Sequence, residues 1–376
     1  MEITKELQQL AQFSDSMFPV ISVYLRTQWS DQAQRAESTA FLDRHLRQAS
    51  ALEVKTDAAR QSLERDLARI AQWATQLGSH ADYAASVSVA LFACAGADLW
   101  VEFPSPILFE NEFSIADRPA LRQLARLDAD YTNALVVQID AQTARVCEVV
   151  LGGLRTDAFF SRDDTALPNS EGQLRYRRQV QPEAYRHYEE VAAYVTDYCS
   201  ERPETYVILS GKDEILAPFR QLLPPHVQHR IIDTVSLDRQ ATHERILRVA
   251  RRVLERHERQ EDQETVHLLL DSAPRGGLSV LGLADTLVAV NAALVHKLVM
   301  HSDFRRRGWR CQECGYIGST TESSLQCTAC KGDVMPVELG EAMVAEVLRH
   351  GGLFEPVTPD VRLAAHDGIG ALLRHL

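Results

Sequence analysis

The sequence predicts an α/β and α+β protein organised as three domains, the third carrying a small inserted metal ribbon. Three observations carry this expectation. Short β-branched runs alternate with segments of helical spacing, the pattern of mixed or parallel sheets covered by helices. The length of 376 residues exceeds what one hydrophobic core usually organises. Two C-x-x-C pairs stand twelve residues apart near the C-terminal end.

The first domain is expected over 1–130. Phe18 to Leu25 reads as a strand, rich in β-branched and aromatic residues. Residues 34–50 and 56–77 have helical spacing, with Leu63, Leu67, Ile70 and Trp73 on one face. Ala85 to Cys94 and Leu99 to Phe103 read as strands around a glycine-containing turn. Arg126 to Asp130 reads as a polar joint.

The second domain is expected over 131–261. Ala134 to Ile139 and Ala144 to Leu151 are strand candidates joined by Asp140 to Thr143, and Gly152-Gly153 suits a tight turn. A polar stretch, 161–173, precedes a helix expected over about 182–200. Tyr206 to Ser210 and Arg230 to Ile232 are further strands. Gly211-Lys212 lacks the upstream glycine spacing of a phosphate-binding loop, and that reading is rejected. Residues 241–260 form a long helix. Its charged continuation, Glu255 to Glu264, reads as the bridge to the third domain, 262–376.

Cys311, Cys314, Cys327 and Cys330 carry the clearest chemistry. Each C-x-x-C puts two thiolates on one tight turn, and Gly315 and Gly332 stand where such turns often need positive φ. Four thiolates in a tetrahedral array suit a structural zinc ion, here in a ribbon over 309–336. Cys94, Cys147 and Cys199 are scattered and read as buried apolar residues.

Composition narrows the function. Apolar content of 45% and charged content of 24% describe a globular chain. A net charge of −12 argues against coating nucleic acid through bulk charge but leaves room for local basic faces. Arg175, Arg177, Arg178 and Arg186 form one such candidate; Arg305, Arg306, Arg307 and Arg310 form another. The first follows Glu171-Gly172-Gln173, which sets an amide beside clustered arginines. No run approaches the ~18 apolar residues of a membrane span, and Met1 to Glu6 lacks a secretory start, so a cytoplasmic protein is expected.

Several of these segments carry a family resemblance. Gly277 to Val295, with Asp285-Thr286-Leu287, and Gly368 to Arg374 resemble the third domain of the archaeo-eukaryotic class-1 release factors and of Pelota. Val20 to Leu25 is similar to the first strand of their N-terminal domain. Residues 131–188, ending Arg186-His187-Tyr188, are similar to the central domain. The resemblance implies a three-domain release-factor-like architecture, in a bacterial relative of the family within the group that includes the hibernation factor Balon.

The motifs also depart from the family. Its central loop carries Gly-Gly-Gln, which positions groups for peptidyl-tRNA hydrolysis; here Gly172 and Gln173 match and Glu171 replaces the first glycine. A Cβ at a positive φ costs roughly 1–2 kcal/mol. One carboxylate ~4 Å from a phosphate, at an effective dielectric near 20, costs about 4 kcal/mol. The family's Asn-Ile-Lys-Ser turn corresponds to Glu53-Val54-Lys55-Thr56, where the lysine alone is kept. Its second decoding motif corresponds to Ile107 to Phe113, which keeps Phe113 but has Ile107 and Phe109 for the tyrosine and cysteine.

What the resemblance implies is a factor occupying the ribosomal A site without reading stop codons, in hibernation or rescue. Arg175, Arg177, Arg178, Arg186 and Lys55 would contact ribosomal RNA. The third domain would face the stalk base or a translational GTPase, and the chain would be a monomer. Two alternatives remain: codon-independent peptidyl-tRNA hydrolysis through Gly172 and Gln173, and ribosome-independent binding of RNA or protein.

Overall fold

The computed structural model describes residues 3–14, 17–27, 32–77, 86–105, 107–130, 133–150, 153–161, 173–273, 278–319 and 326–374. Residues 1–130 and 262–376 together form one compact unit, and residues 131–261 form another.

In the first unit, helix α1 (Ile3–Gln12) precedes strand β1 (Val20–Arg26), helices α2 (Gln32–Ser50) and α3 (Asp57–Gln76), and strands β2 (Ser88–Cys94), β3 (Leu99–Ser105) and β4 (Glu112–Ala116). The strands make an antiparallel sheet in the order β3-β2-β1-β4. Alternation along β1 sends Ile21, Val23 and Leu25 into a core with Leu63, Leu67, Ile70 and Trp73 of α3, the helix face that periodicity predicts. Thr56 starts α3 as its N-cap, accepting from the Ala59 amide at 3.1 Å. The expected joint at 126–130 is instead the end of helix α4 (Arg122–Asp130). Its polarity belongs to a partly solvated helix, because Leu121, Leu124 and Leu127 supply a buried side.

The second unit is a five-stranded sheet in the order β7-β6-β5-β8-β9. Strands β5 (Ala134–Ile139), β6 (Thr143–Val150) and β7 (Gly153–Ser161) form an antiparallel meander. Gly153 opens β7; Gly152 lies outside the described residues. After helix α5 (Gln173–Glu201), strand β8 (Tyr206–Ser210) pairs parallel with β5. Helices α6 (Asp213–Leu222) and α7 (Pro225–Gln228) lead to β9 (Ile231–Val235), parallel to β8. Val191 and Val195 of α5 and Leu216 and Phe219 of α6 cover one sheet face. Ile246, Ala250 and Val253 of helix α8 (His243–Ser272) cover the other.

Helix α8 passes through the charged stretch 255–264 without a break, so the expected bridge is itself helical and the helix extends beyond 260. Its continuation buries Val266 and Leu269 among residues of the C-terminal region, and this packing outweighs the polarity of the preceding turns.

The C-terminal region begins with β10 (Ser279–Leu281), α9 (Leu283–Asn291) and β11 (Val295–His301). It continues through β12 (Arg307–Cys311), β13 (Ile317–Ser319), β14 (Val334–Glu338), α10 (Leu339–Arg349), β15 (Leu353–Val357), α11 (Val361–Ala364) and β16 (Ile369–Leu373). The main sheet runs β10-β16-β11-β15, with β11 and β15 parallel. The ribbon sheet, β13-β12-β14, is a separate antiparallel insertion between β11 and α10. The mixed α/β and α+β architecture with a ribbon insertion is thus the one expected.

Residues 117–122 tie the N-terminal sheet to this C-terminal region. The Ala120 amide donates to Ser22 Oγ at 2.9 Å, and Tyr24 Oη donates to the Ala120 carbonyl at 2.6 Å. Asp117 pairs with Arg310 on β12, and Arg118 pairs with Glu346 on α10 at 2.6 Å. The amides of Leu121 and Arg122, at the start of α4, donate to the Glu341 carboxyl. The Arg122 guanidinium reaches Glu338, the N-cap of α10, at 3.3 Å.

Burial, then the nearby charge of Glu112, push the Glu341 carboxyl up to about 8, against the lowering effect of the two amide donors. Glu341 therefore binds a proton in the folded chain that the unfolded chain releases, from the ordinary glutamate range up to about pH 8. Its contribution to stability is complete below the unfolded value and is lost as pH rises through that window. The unfolding free energy should fall between pH 5 and 8 with a component of at most about 1.4 kcal/mol per pH unit, reduced by partial exposure. Glu341→Gln keeps an acceptor for the amides and should flatten this component in denaturant titrations. An unchanged slope in the variant would refute the assignment.

Candidate functional site

The ribbon brings all four expected cysteines together, their sulfurs lying within 4.8 Å of one another. Cys311 Sγ is 3.4 Å from Cys330 Sγ, and Cys314 Sγ is 3.6 Å from Cys327 Sγ. A tetrahedral ion with metal–sulfur bonds of about 2.3 Å needs sulfur separations of about 3.8 Å, so the quartet fits four-coordinate metal. The amides of Glu313 and Cys314 point at Cys311 Sγ, and those of Ala329 and Gly332 at Cys327 and Cys330, all at 3.4 Å. Such donors stabilise thiolate charge. At Cys311 burial opposes ionisation, yet the amides of Cys314 and Glu313 outweigh it and bring the thiol down to about 7.

The turns after the two pairs are built differently. Gly315 takes φ +76°, as expected for a glycine there. In the second turn Lys331, not Gly332, takes the positive φ, at +66°. Gly332 has another constraint: a Cβ would lie 2.5 Å from the Glu313 carboxyl carbon. Trp309, Tyr316 and Val334 pack beside Cys311 and Cys327 as the ribbon's small core.

The arginine run 305–310 does not form one basic face. The Arg310 side chain is buried, 7% exposed, and engaged by Asp117. Arg305 and Arg306 lie 4.0 Å from Glu110 and Asp367. The run is divided because β12 becomes buried after Arg307, so Arg310 lies inside.

The decoding-like positions have structural work. Residues 51–56 do form the turn between α2 and α3. There Val54 packs against the core, Thr56 caps α3, and Lys55 Nζ donates to Gln312 Oε1 of the ribbon at 2.5 Å. Phe109 is buried, edge-on to Tyr24 with ring centroids 5.1 Å apart. Phe113 sits in β4 opposite Val23 and stacks on His45 at 5.5 Å.

Glu171 and Gly172 lie outside the described residues. Gln173 is not in a loop: it opens α5, nine residues before the expected helix start, and the helix backbone continues through Pro182. Arg175, Arg177 and Arg178 therefore belong to the first turns of a helix. In Arg186-His187-Tyr188 the arginine is exposed, while His187 and Tyr188 are buried. Tyr188 joins the core beneath α5, and His187 Nε2 has no hydrogen-bond partner among the described residues.

The match to known families falls on the second unit and the segment just before it. Residues 119–261 match bacterial archaeo-eukaryotic release factor family 10. Over these residues the chain resembles a bacterial release-factor family, in agreement with the resemblance read from the sequence. Similar solved structures include an archaeal translation termination factor, aRF1, at 14% identity, covering 100% of this chain and 97% of that one, with a TM-score of 0.28. Pelota from Archaeoglobus fulgidus is 17% identical, covering 77% and 80%, with a TM-score of 0.34. A ribosome-bound archaeal Pelota, in a complex with ABCE1, is 14% identical, covering 100% and 94%, with a TM-score of 0.42. No curated protein matches the sequence significantly. Among the described residues, no helix is long and apolar enough to cross a membrane.

Metal analysis of the purified chain should give one ion per molecule. Cys314→Ser should weaken retention, and chelation should lower thermal stability, because the ribbon's apolar core is small. A metal-free chain that melts identically with and without chelator would refute the site.

Proposed function

We propose that this protein is a ribosome-binding translation factor that enters the A site independently of stop codons, in hibernation or rescue. The observation that carries the reading is the double use of the release-factor plan. The central segment matches the family, whereas positions corresponding to codon-reading groups serve packing and capping. Val54, Thr56, Phe109 and Phe113 all hold the N-terminal domain together. Ile107 and Phe109 offer neither the hydroxyl nor the thiol of the family's second decoding motif.

The arginines at the start of α5 are the proposed RNA contacts. Arg175, Arg178 and Arg186 recur at spacings of three and eight residues, which 3.6 residues per turn bring to within about a quarter turn. Arg186 is exposed. Glu171 argues for occupancy over hydrolysis, because it adds negative charge where the family has glycine. Lys55 is a weaker RNA candidate than the sequence suggested, since its ammonium is engaged by Gln312. The quartet's ion is Zn²⁺ in this reading, since four thiolates with no open position favour a structural zinc. A cytoplasmic location follows from a ribosomal role.

Co-sedimentation with bacterial ribosomes at ~0.15 M salt tests the proposal. The intact protein should pellet with ribosomes, and replacing Arg175, Arg177 and Arg178 with alanine should weaken binding ~10-fold or more and flatten its salt dependence. Absence of the wild-type chain from the ribosome pellet would overturn the proposal. On stalled complexes it should release no peptide above background; release that disappears in Gln173→Ala would establish hydrolysis instead.

A further inference from the structure

We infer that the second unit carries a binding site for a nucleotide unit, a phosphate joined to a sugar and base, at the carboxyl ends of its parallel strands. In open α/β sheets ligands collect at this edge, where the chain leaves neighbouring strands in different directions. Here β5, β8 and β9 end together, and a cavity of ≈ 810 Å³ opens beside them. That volume lies in the range of small-molecule sites.

Register explains how the cavity acquires its lining. Phe159 of β7 stands opposite Arg145 of β6, Arg145 opposite Gln138 of β5, and Gln138 beside Ser210 of β8. Opposed residues share a sheet face, so the four form one row across the sheet. The loop after β9 crosses this row. The Gln138 amide donates to the Asp238 carbonyl at 2.6 Å, Ser210 Oγ accepts from the Leu237 amide at 3.2 Å, and Arg145 donates to the Ala241 carbonyl at 2.9 Å. The walls are therefore held by hydrogen bonds that need no ligand.

The lining has the chemistry of a phosphate partner and a base partner together. Among the described lining residues, Arg145, Lys212 and Arg239 are cations and Asp140, which Arg239 meets at 3.2 Å, is the one carboxylate. Asp140 is also occupied by its own turn, accepting from the Gln142 and Thr143 amides at 2.8 Å. Lys212 is exposed and has no acceptor among the described residues. Phe159 is 67% exposed at the rim, an aromatic face open to stacking.

The phosphate would be held by side chains, not by a backbone cradle. Asp213 and Glu214 occupy the first turn of α6 and would repel an anion at the helix end. This agrees with the missing glycine spacing before Lys212. Gly211 has a different use: a Cβ there would lie 2.6 Å from the Ile139 carbonyl oxygen, so glycine lets the ends of β5 and β8 approach.

Calorimetric titration of the full chain tests the site with four probes: adenosine 5′-monophosphate, adenosine, inorganic phosphate and a short single-stranded RNA. The nucleotide should bind more tightly than either adenosine or phosphate alone. Lys212→Ala should weaken nucleotide and phosphate binding about 10-fold. Phe159→Ala should weaken the nucleotide about 5- to 150-fold and leave phosphate unchanged. Both side chains are exposed, so the variants should melt like the parent. RNA binding much tighter than nucleotide binding, with the same sensitivities, identifies the unit as part of a strand; equal affinities identify a free nucleotide. No binding of nucleotide or RNA, or binding indifferent to both substitutions, would overturn the site.

Discussion

The structure of the larger unit depends on residues 117–122, and above all on a helix end that its own sequence leaves uncapped. Helix α4 begins after Ala120-Leu121, where no Ser, Thr, Asp or Asn is available to receive its first amides. Glu341, more than two hundred residues away, accepts from both Leu121 and Arg122. On either side, Asp117 fixes the ribbon through Arg310 and Arg118 fixes α10 through Glu346. Removing one partner from such a buried pair strands the other, at a cost of about 3–5 kcal/mol. The cluster thus binds segments far apart in the chain by satisfying groups that would otherwise be buried alone.

The same cluster marks the limit of what the sequence made legible. Strands β1, β2, β5 and β8 could be read because both of their faces are largely buried, so apolar runs announce them. Strand β4 is only half-buried along its length, and β7 mixes Arg155, Thr156 and Asp157 with its apolar residues. Neither presents a run. Helix α5 starts earlier than its pattern announces, because Pro182 signals a boundary and 173–181 lacks an apolar stripe. Helix α8 extends beyond 260 because Val266 and Leu269 are buried after the charged turns. Pairings such as Arg118–Glu346 have no local signature at all.

The metal centre was legible because its ligands are paired locally. Two C-x-x-C turns place sulfurs within reach of one ion whatever the rest of the fold does. What the spacing did not reveal was which residue would bear the strained backbone of the second turn. There Lys331, and not Gly332, takes the left-handed conformation.

These features change the meaning of the helix that follows Glu171-Gly172. Read as a loop, Gln173 and the arginines would be a mobile catalytic amide with a phosphate clamp. As the first turns of a 29-residue helix whose later part is anchored by Tyr188, Val191 and Val195, the arginines stand on helical backbone and not on a loop. Helical backbone suits binding, since less conformational entropy is lost than when a loop is ordered. Hydrolysis would ask more: a backbone free to approach the ester closely and no added negative charge, and Glu171 adds a carboxylate to the sequence at that point. In the N-terminal domain, Val54, Phe109 and Phe113 serve packing and Thr56 serves as a helix cap. Under the proposed function, a chain altered in this way at both ends of the release-factor plan would keep the means to dock and lose the means to be triggered by a stop codon.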